Sequence, residues 1–377
     1  MSAWSGKFVI GLTGNIGTGK SVVRKMLEHL GAYGIDADAL ANRAIAKGSP
    51  GYQPVADLFG RWILDSDDQI DRAKLGRLVF SNPDALESLE KVIHPLVGQA
   101  LDILIRRSRQ EVVVIEAIKL IEAGLAKKCD SLWVTYAQQE QQIARLIQKR
   151  GMTEANAIQR IHAQPPQEDK VIAADVVIRN DHSFEETWTQ VVAAWNNLFP
   201  GTEVEPIEET EPGSGEIVVH RARPREAEAI AGLITKLSGG VRKVTRQDIM
   251  AAFGEKAFLL LKVNGRPLGL AGWKVENLVA CTDEVFIDKS LGFFEALGAM
   301  LSEVERASRE LQCEISLLFL PIDYVNQETS LHALGYKRRT IQSLGVRAWE
   351  EAAQESMPAR SIMLFKQLRR DRVLRPV

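Results

Sequence analysis

Gly14-Asn15-Ile16-Gly17-Thr18-Gly19-Lys20-Ser21 constrains this chain more than any other stretch. It reads G-x-x-x-x-G-K-S, the pattern of a phosphate-cradling loop. Phe8-Val9-Ile10-Gly11-Leu12, just before it, is a short apolar run suited to a buried strand. After it, Val22, Val23, Met26, Leu27 and Leu30 recur at helical spacing, and Gly31 stops the helix. Glycines let the backbone approach a polyphosphate and turn successive N–H groups inward. The helix adds the positive end of its dipole. Gly14 to Val22 is therefore the candidate nucleotide cradle. Lys20 can reach the outer phosphates, and Ser21 can offer a hydroxyl to Mg2+. The motif specifies nucleoside triphosphate binding and leaves kinase, GTPase and ATPase open.

A chain of 377 residues has room for two domains, and 45% hydrophobic residues can fill their cores. A net charge of -2 sets up neither a nucleic-acid-binding field nor an acidic tail. Cys129, Cys281 and Cys313 are too scattered for a disulfide frame or a C-x-x-C metal site, which suits a reducing cytosol. Polar residues interrupt the first apolar run, so no signal peptide is expected, and no apolar stretch is long enough to span a bilayer. The expected location is cytoplasmic.

Downstream of the first helix, Tyr33-Gly34-Ile35 reads as a strand running into Asp36 and Asp38. Ligands of open α/β sheets bind at the carboxyl ends of strands. One of the two acids can accept the proton of an attacking hydroxyl or help hold Mg2+; Asp38 can also cap the helix opening at Ala39. Residues 39–110 read mostly as helix, with loops at 48–51 and 65–68. His94-Pro95 is expected to interrupt that pattern, which leaves His94 as a candidate ligand contact. Residues 111–116 and 132–135 are β-branched or apolar runs suited to buried parallel strands. Gln138 to Arg150 and Ala155 to Gln164 read as a helical pair carrying Arg145, Arg150 and Arg160, closed by Pro165-Pro166. Arginines on such a pair near a phosphate loop suggest a lid that brings positive charge to the transferring group. A last strand at 174–180 and a closing helix at 184–198 complete the unit. Pro200 to Glu216 has six glutamates, prolines, glycines and no basic residue, so it reads as a linker. The expected division is 1–199, an acidic linker at 200–215, and 216–377.

Residues 7 to about 198 resemble the dephospho-CoA kinases. The resemblance runs in order through Gly11-Leu12-Thr13-Gly14, Ile35-Asp36-Ala37-Asp38, Phe59-Gly60, Asp71-Arg72 and Ile93-His94-Pro95 to Arg160-Ile161-His162-Ala163-Gln164, Ala174-Asp175 and Asn180. It implies a P-loop kinase with a parallel sheet, a helical substrate region and a lid, moving the ATP γ-phosphoryl group to the ribose 3'-hydroxyl of dephospho-CoA. It further implies Asp38 as the general base, Thr13 next to the reacting groups and Arg145 as the lid arginine. Asp36, His94, Glu122 and Arg160 fall on the acceptor side. Where the family has an apolar residue, Pro, Leu-Leu, an aromatic and Glu, this chain has Glu116-Ala117-Ile118-Lys119-Leu120-Ile121-Glu122, without the proline and the aromatic. Read from the residues alone, a nucleoside or nucleotide kinase remains open. So do a nucleotide switch and an acyltransferase with a regulatory nucleotide domain. No N-K-x-D guanine motif is found.

The second region reads as strand (217–219), helix (224–237), two strands around Asn264-Gly265, a third strand (278–287), a long amphipathic helix (291–311), strand (313–320), helix (324–334) and a strand opening at Gly335-Tyr336. Asn-Gly is a strong hairpin signal. This order resembles the GNAT acyltransferases, a mixed α/β fold. Against the family's [Q/R]-x-x-G-x-[G/A] loop the chain reads Lys289-Ser290-Leu291-Gly292-Phe293-Phe294, so only Gly292 fits. A usual tyrosine is replaced by Leu331. Acyl-CoA or CoA is the ligand the resemblance implies there, with a degenerate or regulatory role favoured over catalysis.

Overall fold

The computed structural model describes residues 3–200, 216–370 and 373–374; residues 201–215 of the expected linker lie outside the described residues. The N-terminal region is built on a five-stranded sheet ordered β2-β3-β1-β4-β5. Its strands are β1 (Phe8–Thr13), β2 (Tyr33–Asp36), β3 (Val112–Glu116), β4 (Ser131–Tyr136) and β5 (Val176–Arg179). All four pairings are parallel, and β3 is buried along its whole length. Such strands need apolar cover on both faces. One face takes α1 (Lys20–His29), whose Val23, Met26 and Leu27 pack with Ile10, Leu12 and Trp133. The other takes α2 (Ala37–Ala44) and residues 100–105 of a later helix, through Leu40, Ala44, Leu101, Leu104 and Ile105.

Between them lie α3 (Tyr52–Phe59), α4 (Arg72–Ser81) and α5 (Pro83–Arg107). Here the structure corrects the sequence reading. Helix α5 runs unbroken through Pro95, so His94 stays helical. A proline costs one backbone bond and some strain, and α5 offsets this through buried Leu89, Ala100, Leu101, Leu104 and Ile105 and an Asn82 cap on Asp84 and Ala85. The cap of α2 is also Asp36, not Asp38: its Oδ1 accepts the Ala39 N–H at 2.8 Å. The segment between β4 and β5 comprises α6 (Gln139–Arg150), α7 (Glu154–His162) and an unexpected α8 (Gln167–Ala173), followed after β5 by α9 (Phe184–Leu198).

The C-terminal region contains α10 (Ala227–Leu237), α11 (Arg246–Ala252), α12 (Phe293–Glu310), α13 (Glu328–Ala333) and α14 (Arg347–Ser356). Its seven-stranded sheet is ordered β11-β12-β10-β9-β8-β7-β6. The strands are β6 (Ile217–Arg221), β7 (Ala257–Val263), β8 (Arg266–Glu276), β9 (Val279–Ile287), β10 (Ile315–Pro321), β11 (Lys337–Arg338) and β12 (Ser361–Gln367). Asn264 and Gly265 both have positive φ, 52° and 73°, and close the expected hairpin. The β9–β10 pair is parallel and covers only Val279–Thr282 against Ile315–Leu318; the other pairings are antiparallel. This is the mixed α/β arrangement that the sequence implies, with α11, α14 and β12 added to the expected elements.

The two sheets' regions are packed together. Leu278 and Leu311 join the core around α2 and α5, and Tyr33 donates its hydroxyl to the Leu311 carbonyl at 3.4 Å. Among the described residues no helix is long and apolar enough to cross a membrane.

Candidate active site

Parallel register decides what meets at the top of the first sheet. Leu12 and Asp36 both lie opposite Glu116, so the phosphate loop after β1, the acids after β2 and Glu116 at the end of β3 come out side by side. Gly19, the residue preceding α1, has φ 91°, a conformation that costs a side-chain-bearing residue energy. Lys20 folds back over the loop: its Nζ donates to the carbonyls of Gly14 (3.0 Å) and Asn15 (3.3 Å). Burial pushes its pKa down, against the attraction of Glu116 and Asp38. Ser21 Oγ donates to Glu116 Oε1 at 2.8 Å, and Arg24 Nε to Glu116 Oε2 at 2.7 Å.

The loop is braced from the other side. Thr18 Oγ1 meets the Asn15 carbonyl and Thr135 Oγ1, both at 2.8 Å. Asn180 Nδ2 donates to the Thr18 carbonyl at 3.0 Å. Gln164 Oε1 accepts the Ile16 N–H at 2.7 Å, and Asn15 Nδ2 donates to the Pro165 carbonyl at 2.8 Å. Arg145 lies across the loop, donating to the carbonyls of Gly17 (3.2 Å) and Asn180 (2.6 Å).

Asp38 Oδ2 accepts the Ile118 N–H at 3.0 Å. Its carboxyl is pushed above the usual range chiefly by burial. Asp36 is pushed up to about 6, by burial and then by the charge of Glu116. Two carboxyls with raised pKa beside a buried lysine are an arrangement suited to proton transfer.

Lys20, Ser21, Asp36, Asp38, Glu116 and Arg145 all line one cavity of about 830 Å3, and Gly17, Gly19 and Val22 line it too. Thr13 sits one layer behind, fully buried, donating Oγ1 to the Ile118 carbonyl at 3.0 Å. Glu122 is held 3.3 Å from Lys170, whose Nζ also reaches the Ile118 carbonyl at 2.5 Å. His94 and Arg160 are exposed and do not line this cavity. The altered segment 116–122 touches the cleft through Glu116 and Ile118. Among the described residues there is no cluster of three or more His, Cys, Asp or Glu placed to hold a metal by itself.

Sequence reasoning missed Glu116, Arg24 and Lys170. Glu116 had a usable signal, an acid at the carboxyl end of a buried strand, the same rule that picked out Asp36 and Asp38. Arg24 and Lys170 had none, because their partners are 92 and 52 residues away. Glu255, Lys274, Glu276 and Glu351 of the C-terminal region also line the cleft. In that region Gly292 precedes α12, and Phe293 stacks on Tyr324 with ring centroids 4.5 Å apart.

The dephospho-CoA kinase family profile matches residues 8–186. A dephospho-CoA kinase of Geobacter metallireducens is 46% identical over 190 residues, which is 50% of this chain and 94% of that protein. A solved protein of Thermus thermophilus is 32% identical and covers 52% of this chain and 99% of its own, with a TM-score of 0.48. A GNAT-family acetyltransferase of Staphylococcus aureus covers 41% of this chain at 14% identity, with a TM-score of 0.33. On the strength of the nearly full-length curated relative, the chain belongs to the dephospho-CoA kinase family.

Proposed function

We propose that this cleft transfers the γ-phosphoryl group of ATP to the ribose 3'-hydroxyl of dephospho-CoA, giving CoA and ADP. The observation that carries the reading is the convergence of Lys20, Ser21, Asp38, Glu116 and Arg145 on one cavity. The 3'-oxygen forms a bond to the γ-phosphorus as the bond to the bridging β-γ oxygen breaks. ADP leaves with that electron pair, and the hydroxyl proton passes to Asp38. Its oxygen not bonded to Ile118 is the acceptor, and the raised pKa gives the carboxyl enough basicity for the task. The backbone N–H groups of Gly14 to Val22 cradle the phosphates, and Lys20 and Arg145 supply positive charge where negative charge builds up. Ser21 and Glu116 fit a Mg2+ ion, because that ion is held by few protein oxygens together with phosphates and water. Bound there, it would neutralise the phosphate oxygens.

Thr13 is assigned to the wall behind Ile118, and Asp36 to the acidic end of β2. Glu122 acts through Lys170; His94 and Arg160 keep no assigned role. Residues 1–199 and 216–377 are assigned as the two domains, and the cytoplasm is the setting this reaction implies. Acyl-CoA or CoA is not assigned a site beside α12, because Phe293 and Phe294 open that helix and Phe293 is already stacked on Tyr324.

The test is ADP formation with ATP and Mg2+, with and without dephospho-CoA, the product being weighed by mass spectrometry. Acceptor-dependent turnover yielding CoA is expected. Asp38→Asn should cut turnover about 10²–10⁴-fold and leave ATP binding largely intact. Turnover that ignores dephospho-CoA, or an Asp38→Asn enzyme as fast as the parent, overturns the proposal.

A further inference from the structure

Helix α2 carries Asp38 in its first turn and Arg43 in its last. The two ends serve different parts of the molecule. Asp38 faces the cleft, whereas the Arg43 guanidinium reaches into the C-terminal domain. Its NH2 donates to Glu314 Oε1 and its NH1 to the Asn277 carbonyl, both at 2.5 Å. The side chains of Arg43 and Glu314 are only 7% and 1% exposed. An ion pair this deep is weak evidence for stability, because desolvation offsets the attraction.

Glu314 is itself held from three sides. Trp349 Nε1 donates to its second carboxylate oxygen at 3.0 Å. Its own N–H donates to the Leu278 carbonyl at 2.8 Å, and its carbonyl accepts from Leu368 at 2.9 Å. The carboxylate therefore cannot follow Arg43 if α2 shifts.

The turn joining β8 to β9 adds a second hold. Asn277 and Leu278 have φ of 51° and 62°. The left-handed conformation costs an L-residue such as leucine roughly 1–2 kcal/mol, and it persists only where the surroundings over-determine it. Here the Leu278 side chain packs into the kinase core alongside Leu40 and Leu104, and the Asn277 carbonyl receives Arg43. Just before the turn, the Val275 carbonyl takes a long 3.5 Å bond from Lys25, and Lys274 and Glu276 line the catalytic cleft.

We infer that Glu314 is a positioning residue for phosphoryl transfer, acting across the domain boundary through Arg43 to hold the helix that presents Asp38. The C-terminal domain is thereby a fixed part of the catalytic unit. This rests on the reading of Asp38 as the base. Misplacing a reacting group by about 1 Å can cost on the order of 100-fold, whereas the ATP cradle is built from other elements.

The test is Glu314→Gln in the full chain. The expected result is a fall in kcat of about 10-fold or more, a KM for ATP within about twofold of the parent, and faster amide exchange in residues 37–44. The acid limb of the pH–rate profile should also move to lower pH, because a loosened α2 lets water reach Asp38 and relieves the burial that raises its pKa. A lower melting temperature with unchanged kcat and an unchanged acid limb would make the pair a staple between domains and overturn the inference. If Glu314→Gln does not fold, Trp349→Phe removes one donor from Glu314 and keeps an aromatic ring. A reduced kcat with faster exchange at 37–44 supports the inference in that variant, and parental values of both overturn it. A parent enzyme that does not phosphorylate dephospho-CoA would instead refute the proposed function, and the exchange of residues 37–44 would still report on the hold.

Discussion

Gly19→Ala tests whether the loop's shape is as tightly determined as it looks. Gly19 has φ 91°, and a side chain in the left-handed region costs roughly 1–2 kcal/mol. A Cβ there would also overlap Asn180 Nδ2, which donates to the Thr18 carbonyl at 3.0 Å. Pushing Asn180 away strands a buried carbonyl, at about 1–3 kcal/mol. It also disturbs the Thr187 hydroxyl bonded to Asn180 Oδ1 at 3.1 Å, and the Asn180 carbonyl that receives Arg145 at 2.6 Å. The sum is about 2–5 kcal/mol, or roughly 5–20 °C in Tm for a domain of this size. ATP binding should weaken in parallel, since the loop and Arg145 move together. Gly48→Ala is the matched control: its φ is 79°, but no atom lies within 4 Å of the new Cβ, so it should cost only the backbone share and leave ATP binding alone. Thermal unfolding and calorimetric titration with ATP measure both variants. A Gly19→Ala protein no less stable than Gly48→Ala, with parental ATP affinity, refutes the reasoning.

Two further outcomes follow from buried charge. Lys20→Ala should lose phosphoryl transfer by at least about 10²–10³-fold, yet keep or raise its Tm, because burial disfavours the Lys20 ammonium; a clear fall in Tm would mean that its bonds to Gly14 and Asn15 hold the loop together. His29 donates Nε2–H to the Phe253 carbonyl at 2.9 Å across the domain boundary and accepts from Arg221 at Nδ1. Burial, reinforced by Arg221, brings its pKa from 6.5 down to about 3. Between those values the unfolded chain binds more protons, so stability is full above pH 6.5 and is lost as pH falls toward 3. Thermal unfolding at pH 7.5 and 5.0 should show the loss, and His29→Gln should flatten it; an unchanged slope would exclude His29 as its source.

The phosphate loop was legible because its chemistry is local: glycines, a lysine and a serine at fixed spacing between an apolar strand and an amphipathic helix. Asp36 and Asp38 were legible for a related reason, since the end of a parallel strand is readable from a short window. The Asn264-Gly265 hairpin also follows from two residues. His94 was misread because a proline's local preference gave way to the burial of α5 over two further turns. α11 and α14 escaped because short polar helices are stabilised by what they pack against, Ile230 and Ile234 of α10 for one and Leu317 and Met363 for the other.

The sequence alone, then, determined that a nucleotide would be held, which strand ends would carry the acids, and that a second α/β region follows an acidic linker. Tertiary structure alone decided that Glu116 joins Ser21 and Arg24, and that Lys170 backs Ile118. It also decided that the C-terminal region meets the N-terminal one through Arg43 and Glu314, 271 residues apart. These contacts depend on sheet register and on the docking of two cores, and neither is encoded within any stretch of chain short enough to show a pattern. The acidic composition of residues 200–216 gave no measure of how firmly the regions on either side are packed.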